Sequence, residues 1–193
     1  MARAKGASLV GAVKWLRQSR SAALEALPQH LHHYLEERIQ IASWYPEEDL
    51  VGLIRALARI LPEGAGNVYE QMGRFSARDQ LAGVYRHLLE GGDVLSLPRR
   101  GLVLWQSQHD TGRLSVTMES DASARIDVVD YALPTREMCG VLLGYTTEMF
   151  VMAALEDPSV RKTSCRLDGA DRCSWQITWT PAQVVSAASN RRP

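Results

Sequence analysis

Three side chains in this 193-residue sequence pair reactive chemistry with informative spacing: Cys139, Cys165 and Cys173. The segment between the last two carries Asp168-Gly169 at its centre and reads as the turn of a hairpin. A turn centred on Gly169 sets Cys165 and Cys173 directly opposite, on one face, with Cβ atoms about 4.5–5.5 Å apart. Alternation carries that face on to Trp175, Ile177 and Trp179, the side of the last strand expected to be buried. Cys139 falls in the first turns of a helix that must cover such a sheet. There the helix dipole lowers a thiol's pKa and favours the thiolate, the form that binds metal. The residues alone leave three readings. Free cysteines are often small buried hydrophobes. A tetrahedral zinc site prefers thiolates but needs four ligands, and this spacing is not a common zinc-finger one. A disulfide across the hairpin is awkward in geometry. An odd number of cysteines also excludes a fully paired disulfide scaffold.

Other chemistry is sparse. His30, His32 and His33 share one helical stretch, where a solvated face is the plainest reading. His109 near a helix end reads as a surface histidine. Glycine-rich phosphate loops, H-E-x-x-H and G-x-S-x-G are absent, and no nucleophile–base pair stands out, so no enzyme is expected.

The elements that position these residues change character midway. Leu9, Val10, Val13 and Leu16 sit at helical spacing, followed by a helical stretch over Ala22–Leu27 and another opened by Pro28 with Leu31, Tyr34, Leu35 and Ile39 on one face. Pro46 suits a first helical position, and Glu47, Glu48 and Asp49 set negative charge at the positive end of the dipole. The apolar face of that helix is Leu50, Leu53, Ile54, Leu57 and Leu61, with Pro62 and Gly64 ending it. Two helices are expected over Val68–Phe75 and Ala77–Leu89, closed by Gly91-Gly92, and one more between Val94 and Gln108. Then strands take over: Arg113–Glu119 alternates, Arg125–Val129 follows after a turn, a helix runs from Thr135 to Leu155, and Val160–Arg166 and Arg172–Trp179 close the sequence. The expectation is an α+β fold, an N-terminal helical layer packed on an antiparallel sheet whose C-terminal half runs ββαββ. Residues 1–180 form one domain and 181–193 a flexible tail.

Composition narrows the function. The 22 basic and 22 acidic residues cancel, which argues against nucleic acid and anionic lipid, both of which call for a basic field. With 46% apolar and 23% charged residues the chain is an ordinary folded protein rather than a disordered one. The apolar run Cys139–Leu155 holds Glu148 near its middle and falls short of the ~20 residues a membrane span requires. No signal peptide is visible, and a cytoplasmic location is expected.

The run Ser164–Trp179 resembles the closing C-R-x-x-G-x-x-x-C-x-[aromatic] hairpin of 4-vinyl reductase domains. Those domains belong to the ligand-binding superfamily that also contains haem–nitric-oxide domains and TRAPP vesicle-tethering subunits. The chain as a whole is similar to a myxobacterial paralogous family within that superfamily, through Lys5-Gly6 to Val10, Ser43–Leu50 (S-W-Y-P-x-E-D-L) and Asp110–Leu114 (D-T-G-R-L). The resemblance implies zinc held by three cysteines and a carboxylate: Cys139, Cys165 and Cys173 reproduce both family intervals, while the carboxylate position is Lys162. It implies an apolar pocket between helices and sheet, to which Phe75, Tyr85, Trp105 and Trp175 are assigned. The haem family's Y-x-S-x-R signature has no counterpart, so zinc and no haem are expected. The function expected is a non-catalytic sensory or regulatory domain for a small apolar ligand or lipid, signalling through a protein partner, as a homodimer. A dimeric interaction scaffold like the TRAPP subunits is the alternative, and a reductase the third.

Overall fold

The computed structural model describes residues 1–61, 67–89 and 97–180. The order of elements in that span begins with a short strand β1 (Arg3–Lys5), then α1 (Gly6–Gln18), α2 (Arg20–Ala26) and a 3-10 turn over Gln29–Leu35. Strand β2 (Trp44–Pro46) leads into α3 (Glu47–Ile60), followed by α4 (Val68–Ala82) and α5 (Leu97–Gln108). The second half is β3 (Arg113–Ser120), β4 (Ser123–Val129), α6 (Arg136–Met152), β5 (Glu156–Ser164) and β6 (Cys173–Thr180). This is the α+β fold expected, with ββαββ as its second half.

The main sheet is antiparallel throughout, in the order β3-β4-β6-β5. Its inner face carries Ala124, Ile126 and Val128 from β4 and Cys173, Trp175, Ile177 and Trp179 from β6, all buried. The period-2 pattern dictates this, since a half-covered sheet buries alternate side chains. Against that face lies α6, started by Thr135, whose Oγ1 accepts from the Met138 N–H at 3.1 Å. Helix α4 crosses α6 almost in contact: a Cβ on Gly73 would lie 2.0 Å from the Val141 carbonyl oxygen, and one on Gly144 1.9 Å from that of Glu70. Only glycine permits so close an approach.

Several local expectations are corrected. Pro46 sits in β2 and caps α3 rather than opening it, because Trp44–Pro46 pairs with Arg3–Lys5 in a two-stranded sheet. Residues 68–82 form one helix instead of two, for Ser76 does not interrupt the backbone bonding, and the expected continuation to Leu89 is a 3-10 turn at Arg86–Leu88. Gln29–Leu35 is 3-10 rather than α-helical. In the last hairpin Ser164 faces Ser174 as a turn at Gly169 requires, but a bulge between Lys162 and Ser164 shifts the register so that Lys162 faces Trp175. Pro62, Gly64, Gly91-Gly92, Val94 and the expected tail lie outside the described residues. No helix among the described residues is long and apolar enough to cross a membrane.

Candidate functional site: an apolar cavity and a thiol cluster

A cavity of about 100 Å³ lies between the helical layer and the sheet. Its walls come from α1 (Ala12, Trp15), α3 (Leu50, Ile54, Leu57), α4 (Met72, Phe75), α5 (Leu104, Trp105) and α6 (Val141, Leu142, Met149), with Leu114 and Ile126 from the sheet. Trp15 and Phe75 pack ring to ring at 4.5 Å. One polar strip crosses this surface. Ser8 Oγ donates to Gln108 Oε1 at 2.6 Å, Gln108 Nε2 to Gln80 Oε1 at 3.0 Å, and Tyr145 OH to the same Gln80 oxygen at 3.0 Å. Gln80 Nε2 closes the chain on the Ala7 carbonyl at 2.9 Å. These amides hold one another in place, so the strip is preorganised.

His109 also lines the cavity. It is not the surface histidine expected, because its side chain is 8% exposed and stacks on Trp105 at 4.2 Å. Strand β1 reaches across to it through an isolated bridge to Ala4, and Arg3 fastens the neighbouring Asp110 at 2.7 Å. The Nδ1 of His109 bonds Glu47 Oε1 at 2.5 Å, and the same oxygen accepts from Tyr131 OH at 2.8 Å. Glu47 is 0% exposed and its Oε2 has no partner among the described residues. Burial, then the charge of Glu47, pushes the Tyr131 hydroxyl far above its ordinary range, so it acts as a donor at any working pH. The His109 Nε2 makes no hydrogen bond among the described residues.

Of the pocket residues assigned from sequence, Phe75 and Trp105 line this cavity, whereas Tyr85 does not and instead faces His87 at 6.5 Å between ring centres. Trp175 lines a separate small void beside the cysteines. Glu47, Gln80, Gln108 and Tyr131 escaped the sequence reading. Glu47 satisfies every rule for an exposed first-turn carboxylate, and nothing local shows that β1 and Tyr131 will cover it.

The three thiols do converge. Their sulfurs lie within 4.8 Å of one another, the only such group of potential metal ligands among the described residues. Cys165 and Cys173 are buried and Cys139 is half-buried. Lys162 Nζ donates to Cys139 Sγ at 2.5 Å, and the Arg166 N–H to Cys173 Sγ at 3.5 Å. The helix N-terminus does not make Cys139 acidic as expected. Burial pushes its thiol up to about 11 against the opposing pull of Lys162. At Cys165 burial also raises the value, but the Leu167 N–H and Lys162 outweigh it, and the net shift is downward.

No protein-family model and no curated protein matches the chain. Solved structures do. It is similar to a doubly substituted Tt H-NOX, with 14% identity, a TM-score of 0.69, and coverage of 92% of this chain and 96% of that one. An oxygen-binding H-NOX domain related to soluble guanylate cyclases, in its oxygen complex, gives 14% identity, a TM-score of 0.68 and the same coverage. An H-NOX protein from S. oneidensis in the Fe(II)NO state gives 15% identity, a TM-score of 0.66, and coverage of 91% and 99%. The chain therefore has the H-NOX fold. These neighbours overturn the expectation of no haem: domains of this architecture include ones described through their haem, its distortion and its redox potential. A motif missing from a chain only 14–15% identical to these proteins is poor ground for excluding a ligand that the fold accommodates.

Proposed function

We propose that this chain is a non-catalytic, small-molecule-binding sensory domain that takes an apolar ligand between its helices and its sheet. The cavity carries the reading: apolar walls, one preorganised polar strip, and a volume of about 100 Å³. An engineered apolar cavity of about 150 Å³ suffices to bind benzene. The H-NOX neighbours support the reading through their fold, and haem belongs among the candidate occupants. The donor chemistry suits it, since apolar walls match a porphyrin face and His109 offers a ring nitrogen with no other partner among the described residues. Glu47 would fix that ring's orientation, as carboxylates do for metal-binding histidines. Haem would supply a site for a diatomic gas, and its admission requires the helical layer to part from the sheet. The thiols would hold a thiophilic cation that fastens the last hairpin to α6, contributing to folding rather than chemistry.

The test is to titrate the full chain with benzene and with haemin, alongside native mass spectrometry of the chain as purified. Expected are a copurified apolar molecule, or saturable binding of benzene or haemin, the latter giving a Soret band. Gly101 faces the cavity, with Met149 Cε 3.7 Å from where its Cβ would stand. Gly101→Leu should fill the space and weaken benzene binding about tenfold or more. A chain that is empty as purified and binds neither probe would overturn the reading, and if it is also a dimer the scaffold takes its place.

A further inference from the structure

The three thiols are one ligand short of a closed tetrahedron. The side chain that stands against Cys139 Sγ is Lys162, whose ammonium offers no lone pair. Among the described residues no other histidine or carboxylate joins the cluster.

Beside it lies a void of about 20 Å³, lined by Cys139, Cys173, Trp175 and Tyr131 among others. That is room for one water-sized group, since roughly 10–15 Å³ measured this way holds a water. The indole of Trp175 is buried and its Nε1–H has no acceptor among the described residues. A buried donor left unpaired costs about 1–3 kcal/mol, so native proteins seldom carry one without reason. Lys162 Nζ stands over the same indole, 4.5 Å from the ring centre, while donating to Cys139 Sγ.

From these observations we infer that Cys139, Cys165 and Cys173 form a three-thiolate site for one divalent thiophilic cation, whose fourth coordination position opens onto this void and takes a small exchangeable ligand. Water, hydroxide or a small soft anion has the right size. Lys162 is the counter-charge and not a ligand. Three thiolates and a divalent cation leave one negative charge, and the ammonium at Cys139 balances it. Trp175 donates its indole N–H to whatever occupies the fourth position. Closed structural zinc sites have four protein ligands, whereas a site with three protein ligands and an open position exchanges a small molecule. The inference rests on the cation assigned above and goes further, to a second binding site separate from the apolar cavity.

Cobalt(II) tests it, because its visible spectrum reports ligand type and number. The full chain, freed of metal by a chelator and kept reduced by a phosphine, is titrated with cobalt and then with cyanide. Expected are one cobalt per chain in a tetrahedral, thiolate-rich spectrum, and a shift of the bands on adding cyanide. In Lys162→Glu a carboxylate enters the fourth position, so cobalt still binds and the response to cyanide disappears. Trp175→Phe retains cobalt and weakens cyanide binding about tenfold, the loss of one hydrogen bond to a charged group. Circular dichroism confirms that both variants are folded. Cobalt bound without any response to cyanide would overturn the open position and leave a closed structural cation. Failure of the wild-type chain to bind cobalt would overturn both.

Discussion

The apolar cavity and the thiol cluster sit on the same face of the sheet and share α6, which brings Cys139 to one, Val141, Tyr145 and Met149 to the other, and sets Met138 and Leu142 against both. They differ in how their polar atoms are satisfied. Along the cavity, Ser8, Gln108, Gln80 and Tyr145 hydrogen-bond one another, so the strip is complete before any ligand arrives. At the cluster, three converging sulfurs receive donors from Lys162, the Arg166 N–H and Arg136, an electron-rich set that a cation would bind, while the buried Trp175 indole N–H lacks an acceptor among the described residues. A finished surface suits a ligand held mainly by apolar contact, while an unfinished donor set suits an ion. The exception on the cavity side is Glu47, whose second oxygen is an orphan in a region otherwise well paired.

That exception sets the largest expected effect. Glu47→Ala leaves His109 without its carboxylate and the buried Tyr131 hydroxyl without an acceptor. A buried donor left without an acceptor typically costs about 1–3 kcal/mol, and this substitution strands two of them. The urea midpoint should fall accordingly, and haemin binding should weaken because nothing then orients the imidazole. Cobalt affinity per folded chain should stay unchanged, since among the described residues the Glu47 side chain bonds only His109 and Tyr131 and none of the three thiols. Parallel losses at both places would show that the two regions are one unit.

The sequence exposed these regions unequally. Cysteines are few and their partners are specified by hairpin geometry, so the convergence of Cys139, Cys165 and Cys173 followed from the alternation on β6 and the position of α6. The bulge at Lys162–Ser164 was hidden, because nothing in the run Arg161–Cys165 distinguishes a paired residue from an unpaired one. The order of helices and strands was legible for the same periodic reasons, apart from β1 and β2, which at three residues each are too short to show a period. The cavity was harder to read. Phe75 and Trp105 are aromatic and draw notice, but Gln80 and Gln108 look like ordinary surface amides on helices. Burial of Glu47 and His109 depends on a strand from the other end of the helical layer, and such tertiary contacts leave no local trace.

A smaller effect concerns the helix common to both regions. Glu148 on α6 accepts from Arg78 Nε at 2.7 Å and Nη2 at 3.1 Å, and from Arg74 at 3.5 Å. The hydrogen bond from Arg78 leads in holding its carboxyl below the usual glutamate range. A depressed folded-state value means the stabilisation is complete above the unfolded pKa of about 4.3 and drains away as pH falls through the folded value. Glu148→Gln should therefore cost about 1–2 kcal/mol at neutral pH, the worth of bonds to a charged group. The variant should also show a flatter loss of stability below about pH 4.3. Urea unfolding between neutral and strongly acid pH measures both. Because α6 serves both sites, benzene and cobalt affinities should decline together in acid, once the release of cobalt by thiol protonation has been measured separately; a benzene site indifferent to Glu148→Gln at every pH would show that α4 and α6 are held by their glycine contact alone.

The smallest effect has the opposite sign and separates packing from ligand recognition at the cavity. Gly101 lies within α5, where glycine costs roughly 0.5–1 kcal/mol relative to alanine because the unfolded chain is freer. A Cβ there meets only Met149 Cε, at an ordinary contact of 3.7 Å. Gly101→Ala should therefore stabilise the chain by about 0.5–1 kcal/mol, read as a higher urea midpoint. If the cavity is merely imperfect packing, the methyl group is pure gain and benzene binding changes little. If the cavity is kept open for a ligand that presses against α5, the same methyl stabilises the empty chain and weakens binding, so that stability and affinity move in opposite directions. The thiol cluster offers no such trade: its void is already of single-water size, and any side chain that fills it displaces the fourth ligand outright. An increase in benzene affinity on Gly101→Ala would place the ligand elsewhere than against α5.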